Sequence, residues 1–294
     1  MFVEVYCFGF HLESIMNGLL TIRLADIHSN PRAALDAAAE LGARAVELDA
    51  AEGPFIHDDF GATAVRELAH RIAAGGMAAG AVRYDAGSRR LTDSATVDTL
   101  MGMAVKAIRF AGEIGSRAAI VHAGHPGDDA VKGKGSHPFH AVLGDLAQTA
   151  DLLGVRLCVE AAGWTVSERM EYLERRGLAS VLIEFDPALE LSRREAAVEN
   201  LVKIGNRCGA ILARDGYRAG GDAPFGTGDV PWSELAKVVE LSGFSGPIIV
   251  CPSVERGDTK KVRAEKALSA ARDMSGATDK SWDSFGKGKL WLPE

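Results

Sequence analysis

Eight short β-branched runs alternate with eight longer runs rich in Ala, Leu, Glu and Arg, and this alternation restricts the chain more than any other feature. A strand that returns parallel to its predecessor needs a crossover, and a helix of ten or more residues supplies it. The strands are expected at 19–25, 44–49, 77–83, 117–122, 155–160, 180–186, 209–214 and 246–251. The helices between and after them are expected at 31–41, 62–74, 95–114, 138–153, 166–176, 192–204, 232–242 and 258–274. Asn30 can cap the first helix, Pro31 suits its first position, and Gly42 and Gly115 can close the first and third. An open doubly wound sheet usually has fewer units and often carries a Gly-rich phosphate loop after its first strand, which is not visible here. Eight units in strict order give a closed α/β architecture, a (β/α)8 TIM barrel, and the 294 residues suit one such barrel.

The flanks do not follow the pattern. Residues 1–18 read as an N-terminal extension without a basic n-region, so Met16 is an alternative start to Met1. The barrel is assigned to 19–275 and a C-terminal tail to 276–294, where Trp282, Phe285 and Trp291 suggest a strap on the barrel or on a neighbouring subunit. A homo-oligomer is therefore expected. The net charge of −7 argues against nucleic acid or an anionic membrane as partner. Cys7, Cys158, Cys208 and Cys251 form no CxxC pair and read as reduced thiols of a cytoplasmic protein.

Barrels of this kind do their chemistry at the C-terminal ends of the strands and in the loops that follow. Those ends carry Asp26, Glu47, Asp49, Arg83, His122, Glu160, Glu184, Asp186, Arg214, Asp215 and Cys251. Alternation along strand five separates Val155, Leu157 and Val159 from Arg156, Cys158 and Glu160. On strand six it separates Val181, Ile183 and Phe185 from Leu182, Glu184 and Asp186. With the β-branched faces against the helices, Glu160 and Asp186 point into the mouth. Glu47 and Asp49 serve equally well as ion-pair or capping residues, and His125, His137 and His140 suit a solvated surface.

The segments AALDAAAELGARAVELD at 33–49, AIVHAG at 119–124, LAQTADLLGVRLCVEAAG at 146–163, FDPAL at 185–189, ILARDG at 211–216 and PFGTGDVPWSEL at 224–235, with GFSGPIIV at 243–250, resemble the xylose isomerase-like barrel superfamily of sugar phosphate isomerases and epimerases. The resemblance covers about 19–275 and fixes the fold better than the reaction. It implies one divalent metal held by a Glu, an Asp, a His and a Glu at the ends of strands five to eight. The first two fall on Glu160 and Asp186. The His of the family's HxKD pattern falls on Leu212, and the last Glu on Cys251. Two carboxylates plus water would hold Mn2+ or Mg2+ weakly, since such ions take about six donors. Cys251 as a third ligand would suit Zn2+. The cofactor is thus either absent or a weakly bound divalent ion.

What the resemblance then implies is carboxylate acid–base chemistry on a small sugar or polyol. Glu160 is the candidate base, Asp186 a second acid–base or orienting group, and His122 a catalytic donor. Glu47, Arg83, Arg214 and Arg23 are candidate substrate-binding groups, the arginines able to answer an enediolate oxygen. The alternative is a non-catalytic sugar-binding or subunit-like barrel. A His-rich endonuclease branch of the superfamily is disfavoured by Leu189, Leu212 and Pro224.

Overall fold

Local chemistry starts each helix where a strand ends. Asn30 accepts hydrogen bonds from the backbone N–H of Arg32 and Ala33 ahead of helix α1, Pro31–Glu40. Thr165 and Glu168 form a reciprocal capping box at α5, Val166–Arg175. The computed structural model describes residues 20–50, 61–87, 89–93, 95–116, 118–126, 139–160, 164–253 and 258–277. Residues 1–18 with Met16, His137, and the tail residues Trp282, Phe285 and Trp291 lie outside the described residues.

The strands are β1 Leu20–Arg23, β2 Ala45–Asp49, β3 Ala78–Tyr84, β4 Ala118–Val121, β5 Arg156–Val159, β6 Leu182–Phe185, β7 Cys208–Ala213 and β8 Ile248–Val250. All neighbours are parallel and β8 returns to β1, closing the barrel. The remaining helices are α2 Ala62–Ala74, α3 Val97–Glu113, α4 Phe139–Leu152, α6 Pro187–Ser192, α7 Ala197–Ile204, α8 Trp232–Leu241 and α9 Lys260–Ala277. Among the described residues no helix is long and apolar enough to cross a membrane.

Two stretches depart from the sequence expectation. The first strand stops at Arg23, and Leu24–Asp26 turns as a 3-10 helix. The single helix expected at 192–204 is two. Asp186 caps a helix that begins directly at Pro187, and Arg194, at φ 63°, breaks the chain before α7.

Outward-facing strand residues such as Val46, Val82, Val121, Val159, Ile183 and Ile211 pack with the helices in one large apolar cluster. The lumen holds a second, small cluster of Ala81, Ala118, Ile120, Cys158, Ala210 and Ile249, with Leu182, Leu212 and Cys251 against it. Above this apolar plug the inward positions turn charged.

The register slips twice, between Val46 and Glu47 where β2 meets β3, and between Ile183 and Glu184 where β6 meets β7. In both, the extra residue on the longer strand is a glycine, Gly80 or Gly209. A bulge re-aims the side chain beside it, and here that side chain is a lumenal glutamate. A Cβ on Gly80 would lie 2.9 Å from Thr21 Cγ2, and one on Gly209 would lie 2.7 Å from Leu182 Cβ. Gly209→Ala is therefore expected to lower stability by about 1–3 kcal/mol. Gly144→Ala, in α4 with its nearest neighbour 3.8 Å from the new Cβ, is expected to gain about 0.5–1 kcal/mol. Thermal unfolding of the two variants, measured side by side, checks both signs.

Candidate active site

The charged layer is built around Arg83. Its Nε donates to Glu47 Oε1 at 2.9 Å and one terminal nitrogen to Glu47 Oε2 at 3.1 Å. Both terminal nitrogens also donate to Glu184, one of them at 3.2 Å. The guanidinium thus spans the lumen between β2 and β6, which stand on opposite sides of the barrel. Arg83, Glu47 and Glu184 are 4%, 1% and 0% exposed, so these ion pairs form a floor beneath the mouth. Arg23 donates its Nε to Glu47 Oε1 at 2.6 Å from β1. Burial pushes the Glu47 carboxyl up, but the Arg83 and Arg23 guanidiniums outweigh it and hold it down at about 2. Glu184 goes the other way. Burial, with Glu160 and Glu47 sharing the same guanidinium, raises it.

Three mouth residues sit one step beyond their strands, each carried by a continuing ladder bond. His122 N donates to Tyr84 O at 3.0 Å, Glu160 N to Val121 O at 3.1 Å and Cys251 N to Ala213 O at 3.0 Å. His122 Nδ1 lies 2.9 Å from Glu160 Oε2, and Arg83 is 3.9 Å from the same oxygen. Burial raises Glu160, while the imidazole hydrogen bond and Arg83 carry it below the usual carboxylate range. The hydrogen bond to Glu160 raises His122. Arg90 approaches His122 Nε2 at 3.4 Å. Since a guanidinium only donates, that contact suits a neutral imidazole that donates through Nδ1 to Glu160 and accepts through Nε2.

Asp186 is occupied on both oxygens. Oδ1 caps α6 by accepting from Leu189 N at 3.0 Å, and Oδ2 accepts from Arg214 at 2.7 Å. Arg214 also reaches Asp222 at 3.2 Å, across the short hairpin of 215–216 and 222–223. Asp215 is the organiser of that loop. Its carboxylate accepts from the backbone N–H of Gly216, Gly226 and Gly228.

Among the sequence candidates, Glu160 and His122 are brought into direct contact, as are Asp186 with Arg214 and Glu47 with Arg23 and Arg83. Glu47 and Arg83 are closed off below the mouth, whereas Glu160 keeps 27% of its side chain exposed. Glu184, Arg90 and Asp222 received no role from the sequence. Glu184 was accessible to reasoning, because it shares the inward face with Asp186. His125, expected at the surface, is half-buried and sits edge-on to Trp164 at 5.6 Å.

The donor set does not fit a divalent ion. Of the four positions at which the resemblance places ligands, Leu212 has no donor, Cys251 carries a thiol in place of a carboxylate, and both Asp186 oxygens already accept hydrogen bonds, one from Leu189 N and one from Arg214. Among the described residues no three His, Cys, Asp or Glu side chains converge as a metal site.

The closed barrel agrees with a family match. Residues 35–274 match the family described as xylose isomerase-like TIM barrel, and the chain belongs to it. The fold is similar to that of a xylose isomerase domain protein from Planctomyces limnophilus, at 17% identity and a TM-score of 0.73 over 89% of this chain and 98% of that one. It is similar to an L-ribulose 3-epimerase at 15% identity and a TM-score of 0.72, over 92% and 99% of the two chains. A D-psicose 3-epimerase from Clostridium cellulolyticum H10 gives 15% identity and a TM-score of 0.65, over 88% and 96%. No curated protein matches the chain.

The Glu47 ion pairs predict an acid-sensitive floor. A folded-state value of about 2 against an ordinary 4.5 contributes about 3 kcal/mol. That contribution is complete above pH 4.5 and is lost as pH falls toward 2. Glu47→Gln is expected to be less stable by about this amount at pH 7, with the gap from wild type narrowing between pH 4.5 and 2. Urea unfolding at pH 7, 4.5 and 3 reads the gap directly.

Proposed function

We propose that the chain is an isomerase- or epimerase-type enzyme that moves a proton beside the carbonyl of a small sugar or polyol-derived substrate, with Glu160 as base and without a divalent metal. The Glu160–His122 contact at the mouth carries this reading. Glu160 is the carboxylate of the central network that reaches solvent, since Glu47, Glu184 and Asp186 are buried at 1%, 0% and 4%. Held below the usual range, it is ionised at neutral pH and ready to accept a proton.

The step balances within the substrate and Glu160. The C–H proton next to the carbonyl passes to the carboxylate, the C–H electron pair forms a carbon–carbon double bond, and the carbonyl π pair moves to oxygen. Return of the proton from Glu160 to the former carbonyl carbon, with the adjacent hydroxyl proton passing to the former carbonyl oxygen, gives the isomer. Delivery of a proton to the original carbon from the opposite face by a water molecule, whose hydroxide then takes the proton held by Glu160, gives the epimer. The His122 N–H orients the carboxylate. The anionic oxygen needs fixed donors, and the Arg214 guanidinium, whose side chain is 34% exposed, supplies one. Asp186 fixes the Arg214 guanidinium from beneath. The epimerase names of the L-ribulose and D-psicose relatives support a carbohydrate substrate for the same fold.

The test is solvent exchange. Purified protein is incubated in D2O with a chelator and a panel of ketopentoses and ketohexoses, and proton loss beside the carbonyl is followed by NMR. Exchange should proceed with chelator present and fall by about 100-fold or more in Glu160→Gln. Elemental analysis should find well under one equivalent of Mn2+, Mg2+ or Zn2+. A stoichiometric metal that Glu160→Ala abolishes, or exchange that starts only on adding Mn2+, would overturn the metal-free mechanism. Saturable sugar binding without exchange would favour the non-catalytic sugar-binding barrel.

A further inference from the structure

Helices α7 and α8 are neighbours on the outside of the barrel, and two hollows remain between them. The hollows share Leu201, Ile211 and Val239 in their walls, so they form one furrow. Its inner end is bounded by Trp232 and by Leu20, the first residue of β1. Its outer end is rimmed by Val202, Leu241 and Phe244. Val202 lies in the last turn of α7, and Leu241 ends α8. Helices of a parallel barrel run back against their strands, so both sit at the level where the strands begin, as Leu20 does.

No charged side chain lines the furrow. The hydroxyl of Ser242 lines it but already donates to Val239 O at 3.0 Å. Val202 and Leu241 nevertheless keep 61% and 63% exposed. One exposed aliphatic side chain is ordinary, but two on the rim of a single apolar furrow form a patch that favours a partner. That partner has to be apolar, because a charged or hydroxylated one would lose its water there without gaining hydrogen bonds.

The chain carries such a partner ahead of β1. Residues 1–16 read MFVEVYCFGFHLESIM, with aromatic side chains at Phe2, Tyr6, Phe8 and Phe10, two acidic residues and no lysine or arginine. Residues 278–294, at the other end, hold six charged side chains and match an uncharged furrow poorly. The first segment is also tethered beside the furrow, since it leads into Leu20, which lines the inner hollow. Ten extended residues span about 33 Å and a ten-residue helix about 15 Å, so reach does not limit the match. Covalent attachment makes the encounter intramolecular, at an effective concentration on the order of millimolar.

We propose that the furrow between α7 and α8 is the docking site of this chain's own residues 2–12, whose aromatic side chains cover Val202, Leu241 and Phe244. The inference is independent of the reaction at the mouth.

Limited chymotrypsin digestion of the full chain, read by intact mass, tests it, because cleavage after Tyr6, Phe8 or Phe10 requires that segment to leave the furrow. The double variant Val202→Glu, Leu241→Glu should be cleaved there at least about tenfold faster than wild type. The control Leu152→Glu, at an 82% exposed position of α4, should stay within about twofold. A second variant, Phe8→Asp with Phe10→Asp, changes nothing in the barrel. In it, hydrogen exchange of the amides at 200–204 and 238–244 should rise at least about threefold. Equal cleavage of wild type and the furrow variant, equal acceleration in Leu152→Glu, or unchanged exchange in the Phe variant would overturn the proposal. So would acceleration confined to sites after Trp282 and Phe285, which would assign the furrow to the other end of the chain. A dimer that the furrow variant dissociates, seen by light scattering, would assign it to a second copy and equally overturn the proposal.

Discussion

The mouth of this barrel depends on one guanidinium. Arg83 lies inside the lumen with two carboxylates in hydrogen-bond contact and a third, Glu160, at 3.9 Å. Taking such a group out of water costs several kcal/mol, which only near-complete pairing offsets. The two register slips that present Glu47 and Glu184 supply that pairing. An Arg is suited to the position because its flat head engages opposite walls of the barrel at once. A lysine ammonium would present a single point of charge to both.

From that centre the site divides into two halves. On one side Glu160 and His122 retain contact with solvent and with each other. On the other, Asp186 and Arg214 neutralise one another while tying α6 to the loop organised by Asp215. Glu160 and Asp186, the carboxylates of the two halves, share no partner. Here each has its own cationic or hydrogen-bonding partner on a neighbouring element.

Much of this was legible in the sequence. Two-residue alternation on β5 and β6 separated wall from lumen correctly, because one face of each strand is β-branched. The strand ends named most of the charged layer. What remained hidden was partnership. Nothing in the sequence says that Arg83 reaches Glu184, 101 positions away, or that Glu47 is sealed rather than open, because both follow from a register shift that a string of letters does not display. The glycines at 80 and 209 were the trace of those shifts, isolated inside strands where glycine otherwise weakens packing. The split of the sixth helix was missed for a simpler reason. The Asp-Pro pair at 186–187 is a helix start, and Asp186 is also a mouth residue, so one residue performs both tasks.

The floor formed by Arg83 also makes the mouth a vessel with one door. Below it the lumen is filled by Ala81, Ala118, Ile120, Cys158, Ala210 and Ile249, so nothing can pass along the barrel axis. Whatever enters over Glu160 must leave by the same opening. A reaction that splits its substrate would have to release two products in sequence through that opening, each waiting on the other. A rearrangement that turns one molecule into one molecule of the same size meets no such queue.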